Sequence, residues 1–169
     1  YLPRHQTSSS GTTTFGGAVN TNTSAGVVVA NTNLAVNAAV TTTSSGVVTF
    51  TQSGTTAIAS AGDIVSAGAV TITSGGGTTI SGDVTTTSDT IQFASATTLG
   101  GTVALASTNG AVTFASTLDG AQNLTITAGT GNVTFTGAVG GSTRLGTLNI
   151  VSAGNVGAAA QALGAFDSE

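Results

Sequence analysis

The apolar residues of this chain return at a long and nearly constant interval. Val29, Phe50, Ile72, Phe93, Phe114 and Phe135 are separated by 21, 22, 21, 21 and 21 positions, and Val27, Val48, Val70, Ile91, Val112 and Val133 lead them by two residues at the same step. Within each repeat the alternation has period two. Val48-Thr49-Phe50-Thr51, Val70-Thr71-Ile72-Thr73, Val112-Thr113-Phe114-Ala115 and Val133-Thr134-Phe135-Thr136 put apolar groups on one side and small groups on the other. Period two predicts short strands, and the longer period predicts that each repeat is one coil whose apolar side is covered only by stacking on its neighbours. The C-terminal run 157–163 is the best helical candidate, and it is flanked by glycine.

Turn residues keep phase with the strands. Gly26, Gly46, Gly68, Asp89, Gly110 and Gly131 precede them at steps of 20, 22, 21, 21 and 21, and both residue types tolerate a left-handed corner. A second wall is read through Phe15, Val36, Ile58 and Ile80, then by register slips through Leu105, Ile126 and Ile150. A third is read through Leu118 and Val139. Val112, Leu118, Leu124 and Val133 lie 6, 6 and 9 apart, which makes three sides per coil.

The predicted fold is therefore all-β: a parallel β-helix (β-solenoid) with three short strands per coil of roughly 21 residues. The chain length accommodates roughly eight coils rising on the order of 35–40 Å. A right-handed course is expected, as for other parallel crossovers. Residues 1–10 lack the period and hold the only proline, Pro3, so they read as a head or linker. Residues 11–155 read as solenoid and 156–169 as a tail or partial cap. The segment Gly140-Gly141-Ser142-Thr143-Arg144 is expected to protrude as an insertion.

Composition narrows the function classes. Charged residues make up 5% of the chain, against roughly 25% in typical soluble domains. The cations are Arg4 and Arg144, with His5 as the only histidine, and the acids are Asp63, Asp83, Asp89, Asp119, Asp167 and Glu169. Such a balance argues against nucleic-acid binding, which needs a clustered basic face, and against electrostatic attachment to anionic membranes. No apolar run approaches the roughly 18 residues of a transmembrane helix. Cysteine is absent, so neither a disulfide framework nor a thiolate metal site can form. A mean hydropathy of +0.37 with abundant Val, Ile and Thr opposes a disordered linker.

The repeated Gly-x-Val-Thr-Phe/Ile-Thr pattern, with Asn-Leu-Thr-Ile at 123–126 and Thr-Leu-Asn-Ile at 147–150, resembles the repeat regions of large bacterial surface proteins. These are the filamentous-haemagglutinin-like and autotransporter-like adhesins, and the segment 119–155 is the nearest to them. The resemblance implies secretion to the cell surface, an elongated stalk, and attachment to host cells, surfaces or sister chains. It supplies no catalytic residues.

Candidate chemistry is sparse. Gly62-Asp63-Ile64 and Gly82-Asp83-Val84 place two carboxylates on adjacent coils, where they could hold Ca²⁺, act as an acid pair, or cap turns; the last is the simplest reading. No catalytic, cofactor-binding or metal-ligating residue is assigned, and the chain is not expected to be an enzyme: His5 lies outside the periodic region and no Ser-His-Asp set can be assembled. Glycine-rich Gly75-Gly76-Gly77 lacks the lysine and helix start of a phosphate loop. Asn22, Asn123 and Asn132 open glycosylation sequons of the kind that arise by chance in a threonine-rich chain. Outward Thr49/Thr51, Thr71/Thr73 and Thr134/Thr136 form the Thr-x-Thr arrangement of ice-binding solenoids, although threonine is also a good solvent-facing strand residue.

Three functions are consistent with these features. The leading one is a structural module of a secreted or surface-anchored fibre, forming a stalk or a self-stacking filament. The chain begins with Tyr1 and has no strongly charged cap at either end, so it is expected to be a processed piece that continues into further repeats or stacks end to end. A second is a ligand-binding adhesin module, using the Arg144 segment or the threonine faces, or an ice-binding solenoid. A third is a functional amyloid, disfavoured because corner residues in phase with the walls specify coils within one chain.

Overall fold

The structure is a computed structural model that describes residues 5–7 and 11–158. It is a β-solenoid of 21 short strands in three parallel sheets, each forming one wall. Wall A contains β1 (His5–Thr7), β4 (Val27–Asn31), β7 (Val48–Gln52), β10 (Val70–Ser74), β13 (Ile91–Phe93), β16 (Val112–Phe114), β19 (Val133–Phe135) and β21 (Val156–Ala158). Wall B contains β2 (Thr12–Phe15), β5 (Asn33–Val36), β8 (Thr56–Ile58), β11 (Thr78–Ile80), β14 (Thr97–Leu99) and β17 (Leu118–Asp119). Wall C contains β3 (Val19–Thr21), β6 (Val40–Thr42), β9 (Ile64–Ser66), β12 (Val84–Thr86), β15 (Val103–Ser107), β18 (Leu124–Thr127) and β20 (Leu148–Ser152). The eight strands of wall A bound seven turns among the described residues, one fewer than the sequence estimate.

Wall A follows the expected ladder. Val29 pairs with Phe50, Phe50 with Ile72, Ile72 with Phe93, Phe93 with Phe114, and Phe114 with Phe135. All but Val29 expose no more than 2% of their surface. In-register stacking puts like side chains on top of one another. The rings of Phe93 and Phe114 stack at 5.0 Å and 7°, and those of Phe114 and Phe135 at 5.5 Å and 8°. Such separations lie within the favourable range for aromatic pairs.

Two sequence readings need correction. The second wall joined parts of two different walls. Phe15, Val36, Ile58 and Ile80 belong to wall B, but Ile80 pairs with Leu99, while Leu105, Ile126 and Ile150 continue from Val84 in wall C. Leu118 and Val139, read as a third wall, are the continuation of wall B. The cause is a switch of inward position. Thr56, Thr78 and Thr97 precede Leu118 in one column, while the column of Ile80 and Leu99 runs on into Gly120. The apolar residue thus moves two positions earlier in the strand, and a search for a constant step loses it.

The corner glycines are required for a reason other than the expected one. Of Gly26, Gly46, Gly68, Gly110 and Gly131 only Gly26 has a left-handed φ, of 64°, although Ser44, Ser45 and Gly129 adopt one at the same corner. Gly46, Gly68, Gly110 and Gly131 are needed for space: a Cβ on them would lie 2.6 Å from Thr23 O, 2.7 Å from Ser45 O, 2.0 Å from Asp89 O and 2.2 Å from Gly110 O. Coils pack backbone to backbone at this edge. The helical candidate over 157–163 is also corrected where it is described, since Gly157 and Ala158 belong to β21; residues 159–163 lie outside the described residues.

Pairing extends past the segment read as solenoid at both ends. His5–Thr7 pairs with β4, and Val156–Ala158 with β19.

The interior is not wholly apolar. At the A–B corner Gln52 donates through Nε2 to Asn31 Oδ1 at 3.1 Å and to Val29 O at 3.2 Å, and its Oε1 accepts from Thr56 Oγ1 at 2.7 Å. Thr56 and Ser74 share a hydrogen bond of 2.6 Å. At the C–A corner Thr42 and Ser66 share one of 3.1 Å, and Ser66 donates to Gly46 O at 3.0 Å. Threonine and serine therefore line the inner corners as well as the outer faces. Thr42, Thr56, Ser66 and Ser74 are affordable there because each is partnered. At the N-terminal end of the C–A corner, by contrast, Thr21 Oγ1 and Thr23 Oγ1 are buried without a hydrogen-bond partner among the described residues.

Candidate functional site

The outward face of wall A is the most regular surface. Register sets Thr49 beside Thr71 and Thr51 beside Thr73, four hydroxyl-bearing positions in a grid about 4.8 Å apart between strands. The next coils interrupt it. Gln92 follows Thr71, then Thr113 and Thr134, with Ala94 and Ala115 at the neighbouring outward positions.

Formal charge is gathered on one edge. Among the described residues Asp63, Asp83 and Arg144 fall between the strands of walls B and C, Asp119 ends β17 of wall B beside that corner, and Asp89 lies at the C–A corner. Asp63 and Asp83 do sit on adjacent coils, and their contacts define their role. Asp63 Oδ1 accepts from Asp83 N at 2.9 Å, and Asp83 Oδ1 accepts from Ala104 N at 2.8 Å. Each carboxylate binds the backbone of the following coil, which is the turn-capping reading. No group of three or more His, Cys, Asp or Glu able to hold a metal ion occurs among the described residues.

The same device recurs at Asn33, Asn109 and Asp119. Asn33 Oδ1 accepts from Thr55 N at 2.8 Å, and Asn109 Oδ1 from Thr130 Oγ1 at 2.8 Å. Asp119 Oδ1 accepts from Ser142 N at 2.8 Å and Thr143 N at 3.0 Å. The available signal is an Asn or Asp one coil before a corner.

These last contacts fasten the segment that carries Arg144. It runs between the bridge at Val139 and β20, with Gly140 N bonded to Leu118 O at 2.7 Å and Gly120 N to Thr143 O at 3.1 Å. Arg144 itself is exposed. Its surroundings are glycine, serine and threonine, so it is displayed singly and not as part of a basic patch. His5 pairs through its backbone with Val28 at the far end of wall A. Asn22, Asn123 and Asn132 are exposed at corners.

At the N-terminal end a depression is lined by Thr14, Phe15, Gly16, Gly17, Val19 and Asn20 among others, with no titratable side chain among the described residues of its wall. At the other end Val151 and Val156 are exposed on β20 and β21. No helix among the described residues is long and apolar enough to cross a membrane.

A scan of protein-family models, a search of curated proteins and a search of solved structures each found no match to this chain.

Proposed function

We propose that this chain is a structural repeat module of a secreted or cell-surface bacterial fibre, of the haemagglutinin-like or autotransporter-like kind, and that it has no catalytic role. The observation that carries the reading is the continuous parallel ladder of wall A, paired strand to strand from β1 to β21. A ladder of this kind transmits tension through many backbone hydrogen bonds loaded together. Its exposed surface is weakly charged and rich in hydroxyls, which suits a hydrated stalk. Among the described residues the end strands of the walls have no further partner, an edge of the sort that templates further pairing, so the module extends a longer solenoid or stacks on a second copy. Electron microscopy of the purified chain over a range of concentrations tests this. Thin rods that lengthen by end-to-end addition are expected; compact monomers at every concentration would sink the stacking part of the reading.

A second reading rests on the grid of Thr49, Thr51, Thr71 and Thr73. A rigid hydroxyl lattice on a flat sheet could order water and bind ice. Thermal-hysteresis and recrystallisation assays decide it, and no effect on ice growth removes it.

A further inference from the structure

We propose that Asn109-Gly110 and Asp119-Gly120 are self-modification sites, prone to succinimide formation, that the following coil holds closed. They are the two places in the chain where Asn or Asp precedes Gly. A glycine amide is the least hindered nucleophile toward its neighbour's side-chain carbonyl, because no Cβ crowds it and its backbone rotates freely. Every other asparagine precedes Thr, Leu, Ala, Val or Ile.

The fold cannot dispense with either glycine. A Cβ at position 110 would sit 2.0 Å from Asp89 O, and one at position 120 would sit 2.5 Å from Leu99 O, with Gly120 at a φ of 122°. The solenoid is therefore obliged to carry both reactive dipeptides.

The reaction at Asn109 needs only water. The Gly110 nitrogen attacks Asn109 Cγ and loses its proton to solvent base. The new N–Cγ bond closes a five-membered ring, the Cγ–Nδ2 bond breaks, and ammonia leaves. Water then opens the ring at either carbonyl, giving aspartate or an isoaspartyl linkage. At Asp119 the protonated carboxyl releases water in the first step and the ring regains it in the second, so isomerisation is the net result.

Both partners of each reaction are tied. The Gly110 N–H donates to Ser107 Oγ at 2.7 Å, and Asn109 Oδ1 accepts from Thr130 Oγ1 at 2.8 Å and Thr130 N at 3.4 Å. The Gly120 N–H donates to Thr143 O at 3.1 Å, while Asp119 Oδ1 is held by Ser142 N and Thr143 N. In each case the side chain is held by the next coil. Undocking that coil frees the carbonyl to rotate toward the glycine nitrogen. An isoaspartyl product lengthens the backbone by one methylene at a corner where coils touch backbone to backbone, so redocking is hindered.

The test compares the whole chain folded and in urea, at mildly alkaline pH for Asn109 and at mildly acidic pH, where the carboxyl is partly protonated, for Asp119, with peptide mass mapping and isoaspartate detection at both positions. Conversion at both positions is expected to be slower in the folded chain by at least roughly tenfold, the factor following from the cost of opening a coil. Thr130→Val removes the hydroxyl clamp at an exposed position and keeps the β-branched shape. It is expected to speed folded-state conversion at Asn109 by roughly two- to tenfold while leaving Asp119 unchanged. Equal rates in the folded chain and in urea would overturn the proposal. So would a Thr130→Val chain that converts at the parent rate, or one that speeds both positions alike.

Discussion

Wall A repeats at steps of 23, 21, 22, 21, 21, 21 and 23 residues, whereas wall C repeats at 21, 24, 20, 21, 21 and 24. The unevenness of wall C is compensated within a coil. The long corner 59–63 before β9 is followed by the short corner 67–69, while the short corner 37–39 before β6 is followed by the long corner 43–47. In these two coils the sum is nearly conserved and the central steps of wall A stay at 21 and 22, while the insertion before β20 lengthens the last step of wall A to 23. Wall A has most to lose from a slip, since it holds the stacked rings of Phe93, Phe114 and Phe135 and a one-residue shift would turn them to solvent. Wall C carries smaller aliphatics and faces the corner where chain length is free to vary.

That contrast can be broken first at the ring stack. Phe114→Ala removes the middle ring from wall A and is expected to cost about 3–5 kcal/mol, read from urea unfolding. A loss under about 1 kcal/mol would mean that the stack does not anchor the register. The polar seam at the edge of the same wall comes next. Gln52→Leu leaves buried Asn31 Oδ1 and the Thr56 hydroxyl short of a partner, and about 1–3 kcal/mol should be lost. An unchanged or raised stability would show that wall A prefers apolar contacts throughout. The smallest effect is expected in wall C. Deleting Ser142, Thr143 and Arg144 resets the step between Ile126 and Ile150 from 24 to 21. Loop length alone changes closure entropy little, so the cost should stay near 1 kcal/mol, mostly from the lost contacts to Asp119. Collapse of the whole transition would place wall C on the same footing as wall A.

The difference between the walls also decided what could be read in the sequence. Wall A was legible because Val, Ile and Phe recur there at nearly one step. Wall B was legible as far as Ile80 and then lost, because the chain reaches Leu99 after 19 residues and then passes its apolar residue to the position of Leu118. A slipped step of 25 residues led instead to Leu105, which is apolar and belongs to wall C. The inner seams were missed for a different reason. Asn31, Gln52, Ser74, Thr42, Ser66 and Ser107 obey the period-two rule of their strands, but their polarity carries no signal of burial. Carrying the alternation one step further, two residues past the last inward Val, Ile, Leu or Phe, would have found them. The corner glycines were correctly singled out and wrongly explained, since contact between coils is a tertiary fact with no local signature. The candidate surfaces fared similarly. The outward threonines and the Arg144 segment were visible, and the roles of Asn33, Asn109 and Asp119 depend on which backbone lies one coil away.

The contacts made by those Asn and Asp side chains share an orientation. Asn33, Asp63, Asp83, Asn109 and Asp119 each reach forward, to a backbone N–H roughly one coil later in the chain. The solenoid thus has a grain. Trimming it from the C-terminal side strips the acceptor of whichever coil becomes last, whereas trimming from the N-terminal side leaves every surviving acceptor served. A chain threading out of a ribosome or a secretion pore N-terminus first would latch each coil only when the next one emerges, so assembly would trail synthesis by a single turn.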